Sequence, residues 1–289
     1  MASMRDIKRR KSSVESTQQI TKAMKLVSTV KLQRAKARAE QSMFYFNELY
    51  NTVTSILAKA RGLEHPYMKG GKSGKKAVVL ITSNKGLAGG YNSNVIKLVT
   101  RDPEFNKENT IIYAIGKKGK DALQREGYEV MKDFSEAIEA PTYRDGMTVT
   151  KELLGAFEQG DIAEIYLAYT FFKNTVSHIP TMLKLLPVEI GEKELDEREK
   201  EVSDAPMNFE PEDEEALNLI IPKYISSMVY GALIEAQASE NGARMQAMDN
   251  ATNNAAEMIE HLSLLYNRAR QSKITTELTE IIAGADAIS

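Results

Sequence analysis

The strongest helix breakers are confined to the middle of this 289-residue chain: all eight prolines lie between Pro66 and Pro222, and the first glycine is Gly62. Proline cannot donate the helical hydrogen bond and glycine loses the most backbone entropy on ordering, so both ends are free to be helix for tens of residues. From Ser3 to about Arg61 the chain is built of Lys, Arg, Gln, Glu, Ala, Met and Leu. From about Pro211 to Ala283 it is similar, with Pro222 a local kink and Gly231 and Gly242 weak points. A helix of about 60 residues rises ~90 Å, beyond the diameter of a domain this small. Two such helices are expected to bury their apolar stripes on each other or in a partner.

The stripes are present. Met245, Met248, Thr252, Ala255, Ile259, Leu262, Tyr266 and Ala269 follow alternating steps of three and four, which is coiled-coil spacing. Met43, Phe46, Tyr50, Val53, Leu57 and Ala60 do the same. Between Lys8 and Arg38 the apolar positions thin to Val14, Ile20, Met24 and Val27 among many cations. The pattern predicts an antiparallel coiled coil of the N- and C-terminal helices that pairs near residues 43–60, with a basic upper stretch that faces something else.

Charge sharpens this asymmetry. Residues 1–40 carry eleven Lys/Arg against Asp6, Glu15 and Glu40, a net +8, whereas 189–215 carry thirteen acids against Lys193, Arg198 and Lys200, a net −10. A basic terminus suits nucleic acid, an anionic surface, an acidic protein or a transit peptide; the helical pattern runs on past residue 40 with no processing signature, against the last. The acidic stretch lacks calcium-loop spacing and reads as a solvated linker. The absence of cysteine excludes disulfides, thiolate metal sites and cysteine nucleophiles. No apolar run approaches the ~18 residues of a membrane span, the longest being Ala77 to Thr82 and Ile162 to Phe172, so membrane association is expected only through partners.

Between the ends, strand-like and helix-like runs alternate: Ala77 to Thr82, a helix near Ser93 to Thr100, Thr110 to Gly116, a helix near Lys117 to Gly127, another near Val149 to Gly160, then strands over Asp161 to Phe172 and Val176 to Pro187. Alternation predicts a Rossmann-like α/β domain with parallel pairing. The expected division is an N-terminal helix over 1–65, the α/β domain over 75–190, an acidic linker over 191–210 and a C-terminal helix over 211–289.

The first strand runs into Thr82-Ser83-Asn84-Lys85-Gly86-Leu87-Ala88-Gly89-Gly90, where a nucleotide-binding fold places its phosphate site. The glycines lack dinucleotide spacing, and no acid follows at a persuasive distance. Gly71-Lys72-Ser73 looks like the end of a P-loop, but Pro66 stands at the first glycine and the element precedes a strand. A tight packing turn is the better reading, with no cofactor. His65, His178 and His261 lie in separate segments without carboxylates at ligand spacing, so no metal site is expected, and no nucleophile motif marks a catalytic residue.

The ends also carry a specific resemblance. Ile7-Lys8-Arg9-Arg10, Ser13-Val14, Ile20-Thr21-Lys22-Ala23-Met24-Lys25-Leu26-Val27-Ser28, Lys31-Leu32 and Arg34-Ala35 are similar to the gamma subunit of the F-type ATP synthase, bacterial type. So are Ser239-Glu240, Arg244-Met245, Ala247-Met248, Ala251-Thr252, Asn254-Ala255, Arg270-Gln271 and Ile274-Thr275-Thr276-Glu277-Leu278-Thr279-Glu280. The central Thr82-Ser83 and Gly86-Leu87 match as well. The resemblance implies a non-catalytic rotor shaft that couples proton flow through the membrane ring to ATP synthesis or hydrolysis in a hexamer of alpha and beta subunits. It implies epsilon, delta and the c-ring as further partners, no nucleic acid, no homo-oligomer, and a peripheral place on the cytoplasmic side of the cell membrane. It points to Met24, Lys22, Lys25, Arg244, Arg270, Gln271, Thr275 and Glu277 as contacts with beta, and to Ile281, Ile282, Ala283, Gly284, Ala285 and Ile288 as an end turning in an apolar collar. Ala88 stands where the family often has cysteine, and the chloroplast cysteine insertion is absent, which excludes thiol control. The alternative of another class is a coiled-coil scaffold with an α/β cap.

Overall fold

The computed structural model describes residues 3–59, 65–69, 74–188 and 213–286. Its first helix, α1, spans Met4–Lys59, followed by a short α2 at Pro66–Lys69. The α/β elements are β1 Lys76–Ile81, α3 Tyr91–Thr100, β2 Thr110–Ile115, α4 Lys117–Glu126, β3 Glu129–Asp133, α5 Tyr143–Gln159, β4 Glu164–Phe172 and β5 His178–Leu186. The last helix, α6, spans Asp213–Asp286 and carries Pro222 inside it. By internal contacts the chain forms two units, residues 30–243 and residues 1–29 with 244–289. The acidic segment 191–210, Gly71-Lys72-Ser73, Gly62 and Ile288 lie outside the described residues, as do the side chains of Met43, Phe46, Tyr50, Leu57, Ala60, Gly284 and Ala285.

In the unit 30–243 the sheet order is β3-β2-β1-β4-β5. β1 pairs in parallel with β2 (Val78 beside Ile112) and with β4 (Val78 beside Tyr166). β4 and β5 pair antiparallel, with Phe171 opposite Ile179, so the expectation of uniformly parallel pairing fails at this edge. The cause is the connection: a parallel neighbour needs a crossover of a dozen or more residues, and only a short turn separates these strands. That turn is closed by Asn174, whose Oδ1 accepts from the Val176 and Ser177 amides at 2.9 and 2.7 Å.

Alternation of side chains on β1 sends Ala77, Val79 and Ile81 to one face and Val78 and Leu80 to the other, and all five are buried. The first face packs under α5 (Val149, Leu153, Phe157) and α6 (Leu217, Ile221, Ile225, Val229), with Val53 of α1 in the same cluster. The second packs under α3 (Val95, Val99) and α4 (Leu123). Below residue 244, outside the expected stripe of Met245 to Ala269, this α6 face is buried in the core of the α/β unit rather than on another helix or in a partner. It also accounts for a window of 18 residues in Leu217–Ala283 with mean hydropathy 1.3, apolar enough by composition to cross a membrane but half buried. α5 starts six residues earlier than expected, because Thr142 and Asp145 form a reciprocal capping box. Close helix packing uses Gly119 and Gly146: a Cβ at Gly119 would stand 2.6 Å from Leu80 Cδ2, and one at Gly146 would stand 2.6 Å from the Ser226 carbonyl oxygen.

Candidate interaction surface of the paired helices

In the unit 1–29 with 244–289, the two helix segments run antiparallel. Thr21 Oγ1 meets Thr252 Oγ1 at 2.8 Å, and Lys25 Nζ meets Asp249 Oδ1 at 2.6 Å, so advancing along α1 retreats along α6. On α6 all eight expected seam residues, Met245 through Ala269, are buried or half-buried. On α1 the shielded positions Met4, Ile7, Lys11, Val14, Gln18, Thr21, Lys25 and Ser28 again run in steps of three and four, with Met24 and Thr29 half-buried beside them. The expectation that the basic stretch faces something other than α6 fails here, and its apolar residues Ile20 and Val27 are exposed, at 58% and 57%. Each precedes a seam position by one residue, about 100° around the helix. Hydrophobicity marks these two residues, but the helix buries the polar and small ones beside them.

The residues singled out from the sequence divide accordingly. Lys22 is exposed, Met24 and Lys25 are half-buried, and Lys25 is held by Asp249 rather than presented outward. Arg244 is half-buried. Arg270, Gln271, Thr275 and Glu277 are exposed, with Glu277 3.4 Å from Lys273 and the Thr275 hydroxyl donating to the Gln271 carbonyl. Extending the antiparallel spacing, the start of α1 lies level with about Arg270, so α6 continues beyond it for about four turns, roughly 24 Å. Every described side chain from 270 to 283 is exposed, including Ile274, Leu278, Ile281 and Ile282. Just below this overhang Ile7, Leu262 and Leu265 line a groove of about 1120 Å³ rimmed by Arg9, Arg10 and Arg268.

The glycine-rich loop, which leads into α3, caps α4 with its own groups. At the α4 N-terminus, where anions bind when amides are free, the Lys117 amide donates to Asn84 Oδ1 (3.0 Å), Lys118 to the Ser83 carbonyl (3.1 Å) and Gly119 to Thr82 Oγ1 (2.9 Å). Asn92 Oδ1 accepts from the Ser83 amide at 2.9 Å, tying the loop to α3. The glycines that permit this closeness are Gly116 and Gly119 rather than those inside the loop. At Gly116, with φ +107°, a Cβ would lie 2.0 Å from the Thr82 carbonyl oxygen. Among the described residues no cluster of three or more His, Asp or Glu has the geometry of a metal site. His65 is structural, with Nδ1 accepting from the Tyr67 amide at 3.2 Å and Nε2 at 3.2 Å from Asn218 Oδ1. Burial beside Gly242 pushes the His178 imidazole below its ordinary range.

A three-layer α/β unit whose terminal helices continue into an antiparallel pair, the longer one exposed at its end, defines the class: an α/β protein with a two-helix extension. The chain belongs to the ATP synthase gamma chain family. The family model described as ATP synthase matches residues 3–288. The ATP synthase gamma chain of Lachnoclostridium phytofermentans is 61% identical over the full length of both chains, and the sodium-ion-specific gamma chain of Acetobacterium woodii is 40% identical over 99% of each. Among solved structures, a chain of the Tetrahymena thermophila mitochondrial ATP synthase central stalk and c-ring matches with TM-score 0.60 and 27% identity, covering 80% of this chain and 99% of that one. A chain of the Euglena gracilis mitochondrial enzyme shares the fold, with TM-score 0.68, 18% identity, and 99% and 94% coverage.

Proposed function

We propose that this chain is the central rotor shaft of a rotary ATP synthase, seated between a catalytic hexamer of alpha and beta subunits and a membrane c-ring, with epsilon and delta as further partners. The observation that carries the reading is the α6 overhang on an antiparallel helix pair, exposed on every described side chain from 270 to 283, in a chain that matches gamma chains end to end. A shaft needs contact groups and stiffness rather than a reaction centre. Catalysis therefore belongs to the hexamer, and this chain transmits torque. In this proposal the four sequence-defined segments are retained: the N-terminal helix 1–65, the α/β domain 75–190, the linker 191–210 and the C-terminal helix 211–289.

Contact with beta is assigned to Lys22, Met24, Arg244, Arg270, Gln271, Thr275 and Glu277. Lys25 contributes chiefly through its pair with Asp249. Exposed cations along a helix suit acidic loops on the surrounding subunits. The complex stands on the cytoplasmic face of the cell membrane and is held there by its partners. Co-expression with alpha and beta tests this: a stable complex holding one copy of this chain per hexamer is expected, with Arg270→Ala/Gln271→Ala lowering its ATP hydrolysis at least tenfold. A hexamer that assembles and hydrolyses ATP equally with and without the chain would leave only a scaffold role.

A further inference from the structure

The seam between α1 and α6 in the unit 1–29 with 244–289 is an unusual coiled coil on its α1 side. Lys11, Gln18, Thr21, Lys25 and Ser28 occupy positions where a self-sufficient pair would place apolar side chains. Apolar packing discriminates only in part between alignments here. Extending the antiparallel spacing, Ile7 lies level with Tyr266 and Val14 with Ile259. Moving α6 by one heptad in one direction sets Ile7 against Ile259 but Val14 against Thr252, and in the other sets Val14 against Tyr266 but Ile7 against Lys273, so each slip keeps one of the two apolar pairs.

The polar layer does discriminate. In the observed alignment Lys25 reaches Asp249 at 2.6 Å and Thr21 reaches Thr252 at 2.8 Å, two adjacent rungs on the same side of the pair. A heptad shift replaces Asp249 by Ala256 or Gly242, and Thr252 by Ile259 or Met245. Either shift takes the carboxylate from the Lys25 ammonium and leaves the Thr21 hydroxyl only its intrahelical bond to the Gln18 carbonyl, 3.0 Å. Half-exposed ion pairs add little to stability, but a polar group at a seam position specifies alignment through the cost of mismatching it.

We propose that Lys25–Asp249 with Thr21–Thr252 is the register key of the shaft. Its role is positional: it fixes the height of α1, and so of Lys22 and Met24, against the α6 residues that partners grip. A one-heptad slip displaces these surfaces by about 10 Å. The consequence for torque rests on the shaft reading, whereas alignment itself is measured independently of it.

The absence of native cysteine makes alignment readable by disulfide trapping in the full chain. Val14→Cys with Ile259→Cys reports the observed register. Ile7→Cys with Ile259→Cys and Val14→Cys with Tyr266→Cys report slips in the two directions, and none of these sites belongs to the key. Slipped pairs lie beyond the ~7 Å Cα separation that a disulfide spans. With the key intact, only the first pair closes under mild oxidant. Asp249→Lys, which opposes two ammonium groups, raises a slipped crosslink at least fivefold at unchanged helix content by circular dichroism. The swap Lys25→Asp/Asp249→Lys returns it to background. Asp249→Asn serves as a milder second variant and gives a smaller rise. Slipped crosslinks that stay at background in both Asp249 variants, or that stay raised in the swap, would overturn the proposal.

Discussion

Replacing Glu235 with glutamine is expected to stabilise the protein, and to do so only where the glutamate is ionised. Glu235 lies on the α6 face that packs over the end of β4. Burial pushes its carboxyl up from the ordinary 4.5 to about 7, against the opposing hydrogen bond from the Phe172 amide. Its Oε2 finds no partner among the described residues, and its neighbour Tyr169 is pushed upward by burial and by the Glu235 charge. Raising an acid from 4.5 to about 7 corresponds to roughly 3 kcal/mol of preference for the neutral form in the folded state. Below pH 4.5 both folded and unfolded chains hold the proton, and the group imposes no cost. As pH rises toward 7 the unfolded chain releases its proton first, and above 7 the whole penalty is in force. The wild type therefore loses this stability between about pH 4.5 and 7, and Glu235→Gln does not. Urea unfolding of both chains from pH 4.5 to 8 should show near equality at the acid end and an advantage to the variant approaching 3 kcal/mol at pH 8. A difference that does not change with pH would refute the reasoning.

Three further outcomes follow from the same geometry. Gly146→Ala drives a methyl toward the Ser226 carbonyl and Tyr230, separating α5 from α6, and should cost about 1–3 kcal/mol by urea unfolding. Glu164 is disfavoured by burial, but hydrogen bonds from Lys76 (3.1 Å), Lys184 (3.2 Å) and Tyr166 (3.1 Å) outweigh it and hold the carboxyl below its ordinary range. Its contribution is present above the ordinary carboxylate range and is lost as pH falls through the lowered value, so the stability gap between wild type and Glu164→Gln should narrow on acidification. Thr142→Ala removes the α5 capping box and should lower stability by about 1 kcal/mol, read as a fall in melting temperature.

What the sequence made legible depended on how local the cause was. The missing prolines and glycines mark both long helices, and the alternation from Ala77 to Gly127 places β1, β2, α3 and α4 within two residues of their observed limits. β3 was not legible, because Glu129–Asp133 is a largely exposed edge strand without an apolar run. The antiparallel edge was signalled by the short connection around Asn174, and the early start of α5 by Thr142 and Asp145, both patterns that a closer reading of turns and caps finds. The α1 seam was hidden for a different reason. Hydrophobicity points to Ile20 and Val27, whereas the seam passes through Thr21 and Ser28, whose place is decided by what α6 offers opposite them. Of the residues expected to be contacts, Arg270, Gln271, Thr275 and Glu277 on α6 are exposed, while the engagement of Lys25 by Asp249 is a pairwise fact that no single helix reveals.

The central claim is that this chain turns inside its partners, and rotation tests it most directly. Lys107→Cys, in the exposed loop before β2, gives a cysteine-free chain one attachment site for a bead. With the alpha and beta hexamer fixed to a surface and ATP supplied, the bead should rotate in one direction, with three pauses per turn set by the three beta sites. ATP hydrolysis by the same complex with the bead stationary would contradict the account.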